Sequence, residues 1–264
     1  MLDWLYTVIA WLLKQWHALF STFLDPGSGL AWALAIVALV VTIRSLLFPL
    51  FVKQVHSQRA MQELQPEIQA LREQHGTDKQ AFSQAMMALQ KERGVNPLAG
   101  CLPALLQAPV FIALLHVLRR LAPGKAGLYT WTAELTQQAA NATFAGAPIS
   151  SSFSLPGAGT TTRQVAVVLI VAMCLTSFTT QKQIQKRSGP VEGQAATVQK
   201  LMLYGMPLSL LVTGFLFPIG VLLYWTTNNL WTLGQQVHIL RKLPPPGSPA
   251  ALAAGGPQGP AAPA

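Results

Sequence analysis

The chain has 264 residues, 51% of them hydrophobic and only 10% charged, with a formal net charge of +9 and a mean hydropathy of +0.38. A soluble domain of this length carries about 25% charged residues, so this composition argues against a water-soluble fold and for an all-α polytopic membrane protein. Apolar runs recur along the chain and predict five spans, at residues 30–52, 98–118, 164–181, 201–217 and 219–236. A helix rises ~1.5 Å per residue against a ~30 Å hydrocarbon core, so the first two cross with ease while the last three need polar flanks or a thin bilayer.

Residues 1–28 come before the spans and differ from them. Asp3, Thr7, Lys14, His17 and Ser21 recur at helical spacing opposite Leu5, Ile9, Leu12, Trp16, Leu19 and Phe23. That pattern predicts an amphipathic helix lying in the outer interface, ended by Asp25-Pro26-Gly27. It lacks the basic start and small-residue cleavage site of a signal peptide. Trp4, Trp11, Trp16 and Trp32 fit an interfacial belt.

The first span carries Arg44, a permanent charge inside an apolar run. Lys53 marks the cytoplasmic edge nine residues on, so the arginine is expected to lie ~13 Å deep at helical rise. An arginine at mid-membrane costs ~2.5–3.5 kcal/mol on insertion scales, and every Asp and Glu lies outside the runs. Water, polar side chains or lipid headgroups must therefore meet the charge. Thr42, Ser45, Gln107, Ser177, Thr180, Thr226, Thr227, Asn228, Asn229 and Gln235 are the candidate polar neighbours. Several of them fall in the cytoplasmic halves of their spans and predict a wet cavity open to that side. The competing reading is that Arg44 snorkels and the hydrophobic span ends near it.

Residues 53–97 mix charges of both signs with the short stripes Leu64/Ile68/Leu71 and Phe82/Met86/Leu89, divided by Gly76-Thr77-Asp78. This predicts a cytoplasmic helical hairpin with a bend or helix start at Pro66. Residues 121–162 are rich in Ala, Gly, Ser and Thr and nearly uncharged, so 119–163 is expected to form an irregular outer loop. The Pro/Gly/Ala-rich tail, 237–264, is expected to be disordered. Cys101 and Cys174 both fall within spans, where apolar packing explains them better than a disulfide. Twelve basic residues flank one side of the spans and five the other. The richer side is cytoplasmic by the positive-inside rule, which places the N-terminus outside and the C-terminus in the cytoplasm.

Three stretches carry a family resemblance. "LQPEIQALREQHGTDKQAFSQAMMALQKERGVNPLAGCLPALLQAPVFIAL", at 64–114, resembles the cytoplasmic hairpin and second core span of YidC-type (YidC/Oxa/Alb) membrane protein insertases. "FPIGVLLYWTTNNLWTLGQQ", at 217–236, is similar to that family's last span, and the arginine of "VVTIRSLLFPL" falls where the family has its groove arginine. The resemblance implies a bacterial cytoplasmic-membrane protein with a five-helix core and a hydrophilic groove open to cytoplasm and lipid. It implies insertion and folding of nascent membrane proteins without nucleotide hydrolysis, alone or beside the Sec translocon. Arg44 would attract acidic or polar parts of a client, and Trp225 with nearby apolar residues would contact its transmembrane segment. The hairpin would serve the ribosome and signal recognition particle machinery. The tail offers only Arg241 and Lys242, far short of the long basic extension that helps some relatives dock ribosomes.

Other chemistries are poorly served. "PGKAG" around Lys125 lacks the glycine spacing of a P-loop, and the five histidines make no metal-ligand pattern. No enzyme, cofactor, metal or nucleic-acid recognition is expected. A small-solute or ion-coupled transporter using the same polar cavity is the alternative, although such proteins usually carry intramembrane carboxylates.

Overall fold

The computed structural model describes residues 3–76, 78–95, 102–120, 129–188 and 194–242. Most of the described chain is helical. In order come α1 (Asp3–Phe20), α2 (Gly29–Leu46), α3 (Phe48–Glu63), α4 (Gln65–His75), α5 (Lys79–Glu92), α6 (Leu102–Arg119) and α7 (Ala133–Asn141). A hairpin of β1 (Thr143–Phe144) and β2 (Ala147–Pro148) follows, then α8 (Thr160–Ser188), α9 (Gln194–Lys200), a π-helical turn (Leu201–Gly205), α10 (Met206–Gly214) and α11 (Ile219–Lys242). Cys101, Thr77, Lys125 and the tail beyond Lys242 lie outside the described residues. The chain forms two compact units, one of residues up to Leu46 with Ala108–Val237, the other of Leu47–Gln107 with the chain from His238 on.

The run expected to be one helix over 30–52 is divided at Leu47. Pro49 explains the new start: it has no N–H to donate to a preceding turn, yet its fixed φ suits the first turn of α3. Conversely, α8 is 29 residues long and outruns the expected 164–181, because Thr160–Arg163 and the Gln/Lys-rich end continue the same helix. Its length is ~43 Å at helical rise. By length and composition, α2 and the Thr160–Lys186 part of α8 are apolar enough to cross a membrane, and Gln107–Arg119 forms a shorter apolar helix. Val168, Val171 and Leu175 of α8 and Leu208 and Val212 of α10 are exposed. A contiguous apolar surface of that kind belongs in an apolar solvent.

In the first unit, α1 buries a face that overlaps the expected stripe without coinciding with it, since Ile9 is buried and Leu5, Leu12 and Trp16 pack against the core. Ile9, Ala10, Leu13 and His17 are buried, whereas Phe23 is 82% exposed and Leu19 also faces outward. His17 can enter because its ring stacks on Trp32 at 3.7 Å and its Nε2 donates to the Pro26 carbonyl at 3.0 Å, so its polar edge is satisfied. Trp131 Nε1 donates to the Ala10 carbonyl at 2.8 Å. Trp32 is therefore a core residue, 1% exposed, rather than part of a belt; Trp4 and Trp11 do lie exposed.

Within the expected outer loop, residues 129–159 are more ordered than their composition predicts. Thr132 caps α7, accepting from the Leu135 N–H, and the α7 face of Thr136, Ala139 and Ala140 is buried. Ala145 (φ 50°) and Gly146 (φ 80°) then form the two-residue turn of the β-hairpin, the left-handed pair that a twisted hairpin prefers. Small residues permit this packing. A Cβ on Gly29 would collide with the Thr143 backbone carbonyl, so α2 begins directly against β1.

In the second unit, Pro66 stands in the first turn of α4 and Gly76 ends that helix at φ 52°. The Asp78 carboxylate accepts from the N–H groups of Gln80 and Ala81 at 3.0 Å each, starting α5. The α4–α5 pair is tied by Arg93 to Glu67 at 2.9 Å, an exposed bridge worth at most ~1 kcal/mol.

Gly29→Ala should destabilise the protein. The obstacle is a peptide group rather than a side-chain tip, so α2 or the hairpin must shift, at a cost of about 1–3 kcal/mol. Thermal unfolding in detergent checks this, with a neighbouring exposed substitution such as Gly27→Ala expected to leave the midpoint near wild type.

Candidate functional site

The site is built where α2 ends. Arg44 sits in the last turn of α2, where the free carbonyls and the negative end of the helix dipole favour a cation by ~0.3–1 kcal/mol. Because α2 stops at Leu46, the ~13 Å depth expected from a continuous helix does not apply. The charge sits near a helix end rather than mid-helix.

Its side chain reaches α11. Arg44 Nε donates to Asn228 Oδ1 at 2.9 Å, and Nη2 donates to Thr232 Oγ1 at 3.0 Å. Asn228 and Thr232 are four apart, so both lie on one face of α11. The Thr232 hydroxyl spends its own proton on the Asn228 carbonyl at 2.9 Å, which leaves its oxygen free to accept from Arg44. Both acceptors are neutral, and Arg44 has no salt-bridge partner among the described residues. The guanidinium is thus oriented without being neutralised.

The polar residues of α11 divide between two faces, since successive residues turn by about 100°. Trp225, Asn228, Thr232 and Gln235 share the Arg44 side. Trp225 is half-buried against Phe111 at 4.8 Å and Phe217 at 5.5 Å. Gln235 is 7% exposed, and its Oε1 is buried without a hydrogen-bond partner, as is Nε1 of Trp231 beside it. Thr226 and Asn229 point elsewhere: Thr226 Oγ1 donates to the Leu169 carbonyl at 3.4 Å and Asn229 Nδ2 to the Met173 carbonyl at 3.3 Å. These two join α11 to α8.

The remaining sequence candidates scatter. Thr42 lies on another face of α2 from Arg44, accepting from Trp16 Nε1 at 3.1 Å and donating to the Ala38 carbonyl at 2.8 Å. Ser45 is exposed. Gln107 is half-buried and falls in the second unit. Ser177 and Thr180 are buried on α8, with Thr180 donating to the Thr176 carbonyl at 2.8 Å. Thr232 was absent from the sequence candidates although it holds Arg44. Its signal was present, a threonine one helical turn beyond Asn228, but a lone threonine in an apolar helix usually bonds its own backbone. Among the described residues no group of three His, Cys, Asp or Glu could hold a metal.

Comparison with known proteins agrees with this architecture. Residues 23–246 match the family described as 60Kd inner membrane protein. The chain is 40% identical over 255 residues to the membrane protein insertase YidC of Streptomyces avermitilis, covering 93% of this chain and 59% of that relative. It is 36% identical over 270 residues to the membrane protein insertase YidC of Mycolicibacterium paratuberculosis, covering 90% and 75%. To that of Tropheryma whipplei it is 35% identical over 262 residues, covering 91% and 84%. A crystal structure of an active YidC insertase with its first transmembrane domain resolved shares the fold, with a TM-score of 0.56 at 23% identity over 88% of this chain and 46% of that one. The chain thus spans 59% of the length of the Streptomyces relative and about half of the solved chain. With the family match running over most of its length, the chain belongs to the 60Kd inner membrane protein family, alongside the YidC insertases.

Proposed function

We propose that this chain is a membrane protein insertase and chaperone that works without nucleotide hydrolysis, through a polar intramembrane groove around Arg44. The observation that carries this reading is a guanidinium at the end of an apolar helix, held among the described residues by neutral oxygens of α11. Moving a hydrophilic flank through ~30 Å of hydrocarbon is costly because its polar groups lose water. A wet groove shortens the dry path, and Arg44 provides a favourable stop for a carboxylate on the way. Partition of the client's apolar segment into lipid then drives release. The buried, unpartnered Gln235 Oε1 and Trp231 Nε1 on the same side of α11 supply further sites for water or client peptide groups.

In this reading the five expected spans form the core and α4–α5 is the cytoplasmic hairpin. Residues 119–163 face outward, and the N-terminal helix lies in the outer interface. Nascent membrane proteins are the clients, with the Sec translocon, and the ribosome and signal recognition particle through the hairpin, as partners. The transporter alternative gains no support from the relatives, whose names are those of insertases. All nine acidic residues lie outside the expected spans, so it also lacks the intramembrane carboxylates on which ion coupling usually depends.

Two experiments test the proposal. In liposomes containing the purified protein, a small client with an acidic translocated flank should insert. Arg44→Ala should reduce that insertion by roughly five- to tenfold, the scale of about 1–1.4 kcal/mol of lost charge attraction, and Arg44→Lys, which keeps the charge but not the planar donor set, should fall between the two. Solute flux without insertion would instead favour the transporter. For topology, Cys101 and Cys174 are replaced and single cysteines introduced at Ala126 and Gln80. Ala126→Cys should react with an impermeant reagent from outside and Gln80→Cys only from inside; the reverse pattern inverts the orientation.

A further inference from the structure

Asn228 and Thr232 do more than accommodate Arg44. An arginine presents five N–H donors in a rigid plane. The bonds from Nε to Asn228 Oδ1 at 2.9 Å and from Nη2 to Thr232 Oγ1 at 3.0 Å lie along one edge of that plane. Among the described residues Nη1 has no hydrogen-bond partner, so the opposite end keeps a two-pronged fork. Such a fork matches a planar carboxylate, and the resulting bidentate pair is among the stronger hydrogen-bonded interactions. The neutrality of the clamp is as important as its geometry. A carboxylate in place of either acceptor would hold the guanidinium equally well and cancel the charge that a client would feel.

We infer that Asn228 and Thr232 are positioning residues, a neutral clamp that fixes the Arg44 guanidinium by one edge and turns its free end toward a carboxylate of the client, making the site selective for acidic flanks. The inference rests on the insertase reading above, with one acidic peptide carboxylate as the ligand. Thr232 suits this role because its hydroxyl proton is already committed to the Asn228 carbonyl, so only its acceptor side faces the arginine. Asn228 suits it because its oxygen accepts from Nε without bringing a charge.

Asn228→Asp separates this role from simple packing. It preserves the shape and the bond to Nε but places a fixed carboxylate beside Arg44. The reporter is the ratio of insertion of an acidic-flank client to its neutralised counterpart, measured in liposomes with the full chain at matched protein levels. Asn228→Asp should lower this ratio by roughly tenfold, the scale of one lost charge-assisted hydrogen bond, while thermal stability in detergent holds or rises. Thr232→Val, which removes the acceptor at nearly constant volume, should lower the ratio several-fold, and Thr232→Ser should restore it. If Arg44→Ala lowers the ratio but Asn228→Asp and Thr232→Val leave it at the wild-type value, the clamp is refuted while the insertase reading stands. If Arg44→Ala also leaves the ratio unchanged, the role of the charge itself fails, and the clamp with it. A ratio that tracks thermal stability across all the variants would reduce Asn228 and Thr232 to structural residues and overturn the inference.

Discussion

A guanidinium with no counter-ion among the described residues is the constraint on which this site turns. Arg44 stands in the last turn of an apolar helix and must be solvated by something other than a carboxylate. Asn228 and Thr232 meet two of its donors from a helix 184 and 188 residues away in the chain. Neutral acceptors lower the cost of desolvating the charge without cancelling it. The bond also joins the first long apolar helix to the last one. α11 is further joined to α8 by Thr226 and Asn229, which reach the Leu169 and Met173 carbonyls. One helix therefore serves two partners with two polar faces, which explains why its sequence is unusually rich in hydroxyl and amide side chains for an apolar element.

The end of the first unit around Trp32 is organised by aromatic rings rather than by charge. His17 stacks on Trp32, Trp32 lies 5.2 Å from Trp131, and Trp131 returns a hydrogen bond to α1 at Ala10. Each ring brings a large apolar area, and the tips of His17 and Trp131 find backbone carbonyls. The N-terminal helix, the start of α2 and the loop segment before α7 are thereby packed together. Gly29 lets the β-hairpin approach the beginning of α2, and Gly214 does the same for α10 and α8, since a Cβ there would come within 2.8 Å of Ile170. The apolar surfaces left over on α8 and α10 face outward, as they do in a protein whose solvent is hydrocarbon.

The second unit follows a different logic. Its helices α4 and α5 carry charges of both signs and bury little: no side chain of α4 is buried, and in α5 only Gln90 is. Local signals define it: Pro66 at a helix start, Gly76 at a helix stop, and Asp78 as a cap. Such elements are specified by short-range chemistry and need little from the rest of the chain. That independence suits the proposed role of this pair as a contact surface outside the membrane.

The sequence by itself determined much of this protein. Its apolar runs, its scarcity of charge, the helix pair with its start and stop residues, and the isolated arginine are all written in composition and local spacing. The resemblance of the hairpin, the second span and the last span to YidC-type insertases was also legible there, because it rests on contiguous motifs. What only the tertiary structure decided were the partnerships between distant segments. Thr232 became an acceptor for Arg44 only once α11 lay beside the end of α2. Thr42 turned toward Trp16, and His17 moved from the expected polar stripe into the core because Trp32 and Pro26 were placed to receive it. Residues 129–159 read as irregular because small residues have no periodic signature, yet α7 and the β-hairpin pack closely where other backbones come near. Periodicity reports which face of a helix is apolar; it carries no information about which neighbour that face meets, and the neighbour decides whether a polar side chain is solvated, satisfied or left to bind something else.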